Sequence, residues 1–412
     1  MPLALALGLV GNLTRHGPSG PRDAADLYGK VKLLLAMDYE SNRTKTLKTI
    51  CLASCWSGVP SASAGLSGPW HWIGVGMRLA LQIGLHRETS YAARPDAACL
   101  RRVFWHLHVP FSGRPPLLRP GDYDVSLPRP EDFETVSLQS LIFIESTKLW
   151  TVLGRASVIV AKGQGPGTQV AGIYATLVDW IGNIPADLHL YETSGCRKGY
   201  HRPTAELFIQ YFVTIILTWI PRQTEKDFLP AVPPLTVVAA SCVASLYDEL
   251  NCRDEATSLL PLHGFFCLAA LLPLVFHRPS EAAREMARRT KIGVLRSILV
   301  GMRDRYGDAD MALRKIDALD KKVALYEIRD LLSLPEWIDH SLLFPFPEEM
   351  CDDMDLLPRT NTPHMEEHIE SFGNLVDLPL DYSLLDLFAF DFSDLPGLSE
   401  SDMNIDTNLG FM

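Results

Sequence analysis

Residues 68–88, GPWHWIGVGMRLALQIGLHRE, combine an apolar helical repeat with tryptophan, histidine and glycine. Such residues occur in ligand sites and also in tightly packed helices, so the role of the stretch has to be decided from its spacing. Pro69 suits the first turn of a helix, where its missing N–H is not needed. The sequence therefore predicts a helix over the stretch.

The histidines do not have the spacing of a metal site. His71 and His86 are fifteen positions apart, which corresponds to about 22 Å along one helix. His106 and His108 are two residues apart and face different sides of a helix. No H-E-x-x-H pattern occurs. We assign no metal ligand and expect satisfied or exposed histidines.

The glycines of the stretch lie within the predicted helix. Gly74 and Gly76 follow no strand, so a dinucleotide-binding loop is not supported. We expect them to allow close helix–helix approach, with Trp70, Trp72 and Met77 packing nearby. The sequence has no G-x-S-x-G elbow and no nucleophile with a recognisable base. It predicts a protein that is not an enzyme and disfavours the hypothesis of an unrelated helical enzyme.

Helical periodicity recurs along most of the chain, and no strand-type alternation is sustained. Helices joined by short loops favour an all-α body. Besides the stretch above, the predicted helices cover residues 23–38, 44–56, 95–109, 138–162, 172–182, 205–220, 237–250, 259–276, 281–306 and 311–332.

Charge divides the chain. Residues 348–412 contain 16 acidic residues and one basic residue, which leaves 37 basic and 33 acidic residues in 1–347. That body lacks the dense basic patch of a DNA-binding module. The apolar start, 3–10, is too short to span a membrane. We predict a flexible segment over 1–22, a helical domain over 23–345 and an acidic tail over 346–412.

The acidic tail alternates acidic and large apolar residues between 375 and 395. This composition is typical of disordered activation segments, in which like charges keep apolar side chains available to a partner's groove. A packed C-terminal helix or a plain solvated tail is the alternative. The residues predicted to contact such a partner are Leu384, Leu385, Phe388, Phe390 and Phe392.

Two further features have structural interpretations. The eight cysteines contain no C-x2-C pair, so we expect reduced core cysteines. The segment from Arg114 to Asp124 resembles a binding loop, but Arg114 paired with Asp122 or Asp124 is more often a structural clamp.

Together these segments resemble the fungal-specific transcription factor domain, the middle homology region of fungal binuclear zinc-cluster regulators, also called the xylanolytic activator regulatory domain. The resemblance is clearest over 25–135. The segments that carry it are AMDYESNR (36–43), CLASCW (51–56), WHWIGVGMR (70–78), IGLHR (83–87), LRRVFW (100–105), GRP (113–115) and DYDVSLP (122–128), followed by LVDWIGNIP (177–185). The signature positions are Trp70, Trp72, Gly76, Arg78, Gly84, His86, Trp105, Arg114, Asp122 and Asp124.

The resemblance implies an all-helical regulatory domain in a nuclear transcription regulator, with a homodimer as a possible assembly. In the family, DNA is bound by a six-cysteine cluster that holds two zinc ions. That cluster, which begins C-x2-C-x6-C, is absent from these residues. We therefore assign no cofactor, zinc ligand or DNA contact here, and expect DNA binding only through a module missing from this sequence.

The pattern also departs from the family at 109–112, where Val-Pro-Phe-Ser joins Trp105 and Gly113 more directly than the family helix does. A deletion and an error in the gene model both remain open as explanations. The alternative function is a DNA-independent helical protein that binds partners or senses an effector.

Overall fold

The computed structural model describes residues 1–15, 19–58, 66–92, 94–108, 117–119, 121–161, 168–219, 232–323, 331 and 339–357. Within these ranges the chain folds into α-helices without a strand, and one isolated bridge joins Tyr191 and Arg197. The all-α prediction is confirmed. None of the helices in the described part is both long and apolar enough to cross a bilayer.

The helices agree with the sequence periodicity to within a few residues at most ends. They are α1 (Pro2–Leu13), α2 (Ser19–Ala36), α3 (Arg43–Ala53), α4 (Pro69–Gln82), α5 (Ala97–His108), α6 (Leu138–Ala161), α7 (Thr168–Asn183), α8 (Arg202–Ile216), α9 (Pro234–Cys252), α10 (Leu262–Phe276), α11 (Ala282–Met302) and α12 (Gly307–Val323).

Helix α1 corrects the prediction of a flexible segment over 1–22. Its residues Ala6, Leu9 and Leu13 are fully buried, and α1 packs against α2 and α3. The spacing of these residues places them on one face of the helix. Because burial of that face stabilises the helix, residues 2–13 are part of the helical body.

Helix α4 is shorter than the sequence predicted. It ends at Gln82, and Gly84 adopts a positive φ of 81°. The N–H of Leu85 donates to the carbonyl of Ala80 at 2.9 Å, as in the glycine-terminated end of many helices. His86 therefore lies beyond the helix. The distance of about 22 Å between His71 and His86, which assumed a single helix, does not describe this structure.

The C-terminal half is built around three almost wholly buried helices, α8, α9 and α10. α9 contacts both α8 and α10, while α11 and α12 cover α10. Helices that are apolar on every side are expected at the centre of a large helical body. This half meets the N-terminal half where the N–H of Gly307 donates to the carbonyl of Ser57 at 3.1 Å.

Residues 339–357, here called the strap, cross the surface of this half and correct the predicted tail boundary at 346. The hydroxyl of Tyr211 donates to the carbonyl of Leu343 at 2.8 Å, and the ring of Phe344 stacks on Phe212. Met350 is also buried. Because apolar side chains recur as far as 357, this part of the tail is packed against the body. Residues 358–412 lie outside the described residues.

Candidate functional site

Five of the signature residues that the structure describes lie around the end of α4, the helix α5 and the loop at 121–132, namely Gly84, His86, Trp105, Asp122 and Asp124. The central contact is an ion pair between Arg101 on α5 and Glu88, which follows α4. Arg101 Nη1 and Nη2 donate to Glu88 Oε2 and Oε1 at 2.6 and 2.7 Å. Bidentate pairs of this kind have a fixed orientation and are stronger than single contacts.

Arg101 also joins a third element. Its Nε donates to Asp132 Oδ1 at 3.2 Å, and its guanidinium lies 4.7 Å from the ring centre of Tyr91. The hydrogen bonds from Arg101 lower the pKa of Glu88 to about 2. Glu88 is therefore a stable carboxylate that holds α5 against the end of α4.

The loop containing the predicted DYDVSLP segment is held by hydrogen bonds to the side chain and to the backbone of Glu88. The N–H of Ser126 donates to Glu88 Oε2 at 2.8 Å, while the N–H of Glu88 donates to Asp124 Oδ1 at 2.6 Å. Trp105 Nε1 donates to the carbonyl of Ser126 at 2.8 Å. We call Glu88, Arg101, Asp124, Ser126 and Asp132 the loop clamp.

The other signature aspartate has a local role. Asp122 Oδ2 accepts from the backbone N–H of Arg119 at 2.7 Å, and the N–H of Asp122 donates to the carbonyl of Arg119 at 3.0 Å. Arg114, the predicted partner of Asp122 or Asp124, lies outside the described residues, so that pairing stays a prediction.

An aromatic cluster supports the clamp from α5. Phe104, Trp105 and His108 on that helix all contact the ring of Tyr123, at centroid distances from 4.6 to 5.8 Å. Burial lowers the pKa of His108 to about 4, so the imidazole is neutral at physiological pH. This histidine packs as an aromatic ring against its neighbours.

A second hydrogen-bonded group connects α2 with α4. Trp72 Nε1 donates to the hydroxyl of Tyr28 at 2.8 Å, and that hydroxyl donates to the carbonyl of Ser67 at 2.6 Å. The ring of Tyr28 stacks on Trp56 with centroids 5.3 Å apart. Trp72 is therefore a core residue with its polar atom satisfied.

Gly76 occupies the closest approach between helices. A Cβ atom at this position would lie 2.6 Å from Leu107 Cδ2 and 2.9 Å from Ile50 Cγ2, whereas a Cβ at Gly74 would meet nothing within 4 Å. The predicted close packing therefore applies to Gly76, which lets α4 contact α3 and α5, but not to Gly74.

The remaining signature side chains have lesser contacts. Arg78 is exposed and Trp70 is half-buried on α4. His86 Nε2 accepts from Arg87 Nε at 3.2 Å, and its backbone carbonyl accepts from the N–H of Asp124 at 3.2 Å. The five activation contacts in the acidic tail lie outside the described residues.

Four residues that organise these contacts were not predicted from the sequence, namely Tyr28, Glu88, Arg101 and Ser126. Arg101 lies within the quoted LRRVFW segment, yet nothing in local spacing distinguishes it from Arg102. Ser126 contributes through its backbone groups, which leave no signal in residue identity. The ion pair joins Arg101 to Glu88, which lie 13 residues apart in the sequence. Only the chain reversal after Gly84 brings these two residues together.

The site binds chain segments to one another. Both oxygens of Glu88 accept hydrogen bonds, and its low pKa makes it a poor proton acceptor. Among the residues that the structure describes, no group of three or more histidine, cysteine or acidic side chains could hold a metal ion. The geometry is that of a scaffold that fixes the loop at 121–132.

The segment that contains the loop clamp is also the one that matches a known protein family. Residues 19–148 match the fungal specific transcription factor domain. The resemblance predicted from the sequence is therefore confirmed. The matched segment extends from α2 into α6, so the clamp, the aromatic cluster and the contacts of Gly76 all lie within it.

Curated relatives of the chain are fungal regulators. The chain is 31% identical over 130 residues to cutinase transcription factor 1 beta of Fusarium vanettenii, an alignment of 29% of this chain and 14% of the relative. It is 27% identical over 278 residues to the acetamidase regulatory protein of Aspergillus oryzae, covering 61% and 34% of the two chains.

A third similarity is to the Zn(2)-C6 fungal-type transcription factor pigI of Monascus ruber, with 26% identity over 197 residues, 41% of this chain and 24% of the relative. The aligned part thus spans about a third or less of each of these relatives. No solved structure shows a significant match.

Proposed function

We propose that this protein is a fungal transcription regulator that acts in the nucleus. The observation that carries the proposal is the match of residues 19–148 to the fungal specific transcription factor domain, supported by relatives named as transcription factors and regulatory proteins. The helical body serves as the regulatory domain, and its clamped site is a structural support within it. No step of a chemical reaction is assigned to it.

The acidic tail supplies activation in this proposal. Repulsion between its acidic side chains opposes collapse of the segment, which leaves its apolar residues accessible. These residues bind a groove on a coactivator or on the transcription machinery. Because residues 339–357 are packed on the body, we place the start of the activation segment after residue 357 rather than at 346.

A reporter assay tests this assignment. Residues 358–412 fused to an unrelated DNA-binding domain should raise transcription of a reporter gene, and the full chain in the same fusion provides the comparison. Replacing Leu384, Leu385, Phe388 and Phe390 together with alanine should abolish most of the signal. A matched variant with alanine at polar positions of the tail, Ser399, Ser401, Asn404 and Asn408, should retain it.

Failure of the intact tail to activate would overturn the activation role, provided that immunoblots show equal amounts of each fusion. Activation that survives the four apolar substitutions would show that those residues are not the contacts. Neither outcome depends on the folding of the body, because the fused segment contains none of its described residues.

DNA binding is proposed only through a zinc-cluster module of the family type, which these residues do not include. The body has a small excess of basic residues, and phosphate contacts made by lysine and arginine dominate DNA affinity. The purified chain should therefore bind promoter DNA weakly at physiological salt in a fluorescence anisotropy titration. Tight, sequence-dependent binding by this chain would contradict that expectation.

The alternative of a DNA-independent partner-binding or effector-sensing protein stays a prediction. It differs from the first proposal in one measurable respect, because it needs no recruitment to a promoter. Chromatin immunoprecipitation that recovers specific promoters would favour the regulator, whereas a nuclear protein that is recovered from no promoter would favour the alternative.

A further inference from the structure

Two cysteines from distant parts of the sequence meet beneath the strap. Cys242 lies on α9 and Cys351 lies in the strap, 109 residues later, with their Sγ atoms 3.6 Å apart. Both side chains are buried, with 0% and 4% of their surface exposed. A contact between sulfurs at this distance can close to a disulfide with small movements of one flexible segment.

The surroundings of this pair differ from those of the other buried thiols. Next to it, Lys291 Nζ donates to Asp353 Oδ2 at 2.7 Å, and Ser241 Oγ donates to the same carboxylate oxygen. The thiol of Cys242 donates to the sulfur of Cys351, which lowers the pKa of Cys351 together with the N–H of Asp353 and the charge of Lys291.

The other thiols of the core have the opposite tendency. Burial raises the pKa of Cys55 to about 11 and also raises that of Cys267. Burial likewise raises the pKa of Cys242 itself. Since the thiolate is the nucleophile in cysteine oxidation, the lowered pKa of Cys351 favours Cys351 as the attacking member of the pair and Cys242 as the resolving member.

We propose that Cys242 and Cys351 form a reversible disulfide that ties the strap covalently to α9 when the protein meets a peroxide. In the first step the Cys351 thiolate attacks one oxygen of hydrogen peroxide, the O–O bond breaks, and the departing hydroxide takes up a proton to become water. Cys351 is then a sulfenic acid.

In the second step the sulfur of Cys242 attacks the sulfur of Cys351. The S–S bond forms, the S–O bond breaks, and the hydroxyl group leaves as water with the proton of Cys242. Overall, two thiols lose two electrons and one peroxide is reduced to two waters. A cellular dithiol reverses the reaction by thiol–disulfide exchange.

The disulfide would change how the strap is held. In the reduced protein the strap is attached by separate contacts, among them the hydrogen bond from Tyr211 to Leu343 and the ion pair between Lys291 and Asp353. A covalent link between residues 242 and 351 removes the open conformations of the strap. Because the strap leads directly into the acidic tail, an effect on transcription would rest on the proposed function.

Peptide mass mapping of the full-length wild-type protein tests the chemistry without any variant. The protein is treated with hydrogen peroxide, free thiols are blocked with an alkylating reagent under denaturing conditions, and the digest is examined without reduction. We expect a peptide pair linked through Cys242 and Cys351, which disappears after treatment with dithiothreitol. Exposed Cys196 and Cys252 report how far the oxidation has gone.

Limited proteolysis then measures the strap itself. The strap contains two exposed glutamates, Glu348 and Glu349. Because proteolysis follows the population of the open form, a glutamate-specific protease should cut there when the strap detaches from the body. Oxidation should slow this cleavage about tenfold or more, and dithiothreitol should restore the rate. Cys351→Ser should show no slowing, whereas Cys252→Ser, which changes an exposed cysteine on α9, the helix that carries Cys242, should behave as wild type.

Recovery of both Cys242 and Cys351 as free thiols, after conditions that oxidise Cys196 and Cys252, would overturn the proposal. A disulfide from either residue to a different cysteine would overturn it as well. The reporter assay uses residues 358–412, which contain neither cysteine. Its outcome therefore does not depend on the disulfide, and the two proposals can fail independently.

Discussion

Arg101 on α5 holds both carboxylate oxygens of Glu88, a residue that follows the end of α4, at 2.6 and 2.7 Å. Arg101 has 12% of its side chain exposed and Glu88 has 38%. The pair is thus partly shielded from solvent, and it lies at the centre of the contacts that join the loop at 121–132 to the two helices.

Removal of Arg101 should destabilise the domain by more than an exposed ion pair would. Arg101→Ala removes the donor to Glu88 Oε1 and to Asp132 Oδ1 and one of the two donors to Glu88 Oε2, and we expect a loss of about 1–3 kcal/mol in the free energy of unfolding. Chemical denaturation followed by circular dichroism measures this loss. Arg314→Ala, which removes an exposed pair on α12, should cost at most about 0.5 kcal/mol; equal losses would refute a special role for Arg101.

The same pair predicts a dependence of stability on pH. Arg101 lowers the pKa of Glu88 in the folded protein to about 2, from an ordinary value of 4.5. On acidification the unfolded chain therefore takes up this proton first, so the stabilisation is present above about pH 4.5 and is lost as the pH falls toward 2. Denaturation midpoints between pH 7 and 3 should fall less for Glu88→Gln than for wild type.

Glu131→Gln serves as the control for this pH experiment, because Glu131 is exposed and lies on the same loop. Its denaturation midpoints should follow those of wild type at every pH. Parallel curves for wild type and Glu88→Gln would show that the carboxylate of Glu88 does not contribute to the acid sensitivity.

Two neighbouring glycines should respond to alanine in opposite directions. Gly76→Ala introduces a Cβ that would lie 2.6 Å from Leu107 and 2.9 Å from Ile50, and such overpacking costs about 1–3 kcal/mol. Gly74→Ala meets nothing within 4 Å and should stabilise α4 by up to about 1 kcal/mol. Thermal melting of both variants measures the contrast, and a stabilised Gly76→Ala would contradict the close packing of α4 with α3 and α5.

The hydroxyl of Tyr28 should contribute to the free energy of unfolding in addition to the packing of its ring. Tyr28→Phe leaves the buried Nε1 of Trp72 without an acceptor and the carbonyl of Ser67 without this donor, at an expected cost of about 1–3 kcal/mol. Tyr39→Phe is the matched control, since Tyr39 is 58% exposed. Chemical denaturation of both variants provides the comparison, and indistinguishable stabilities would mean that water replaces the hydroxyl in the variant.

The helical periodicity of the sequence was sufficient for the fold class and for most helix positions, because each helix must place its apolar side chains on a shared face. It failed where a helix had to stop. The residues after Gln82 continue the apolar pattern, yet the positive φ of Gly84 ends α4. Likewise, α1 was missed because its apolar residues were judged without the partner helices α2 and α3 that bury them.

The sequence by itself determined the all-α architecture, the family resemblance of the region around Trp72 and the acidic character of the final segment, since these depend on local spacing and composition. Only the tertiary structure decided that Glu88 pairs with Arg101, that Gly76 rather than Gly74 is the point of closest approach, and that Cys351 meets Cys242. These contacts depend on which faces meet after the chain reverses direction, and residues far apart in sequence carry no local signal of that meeting.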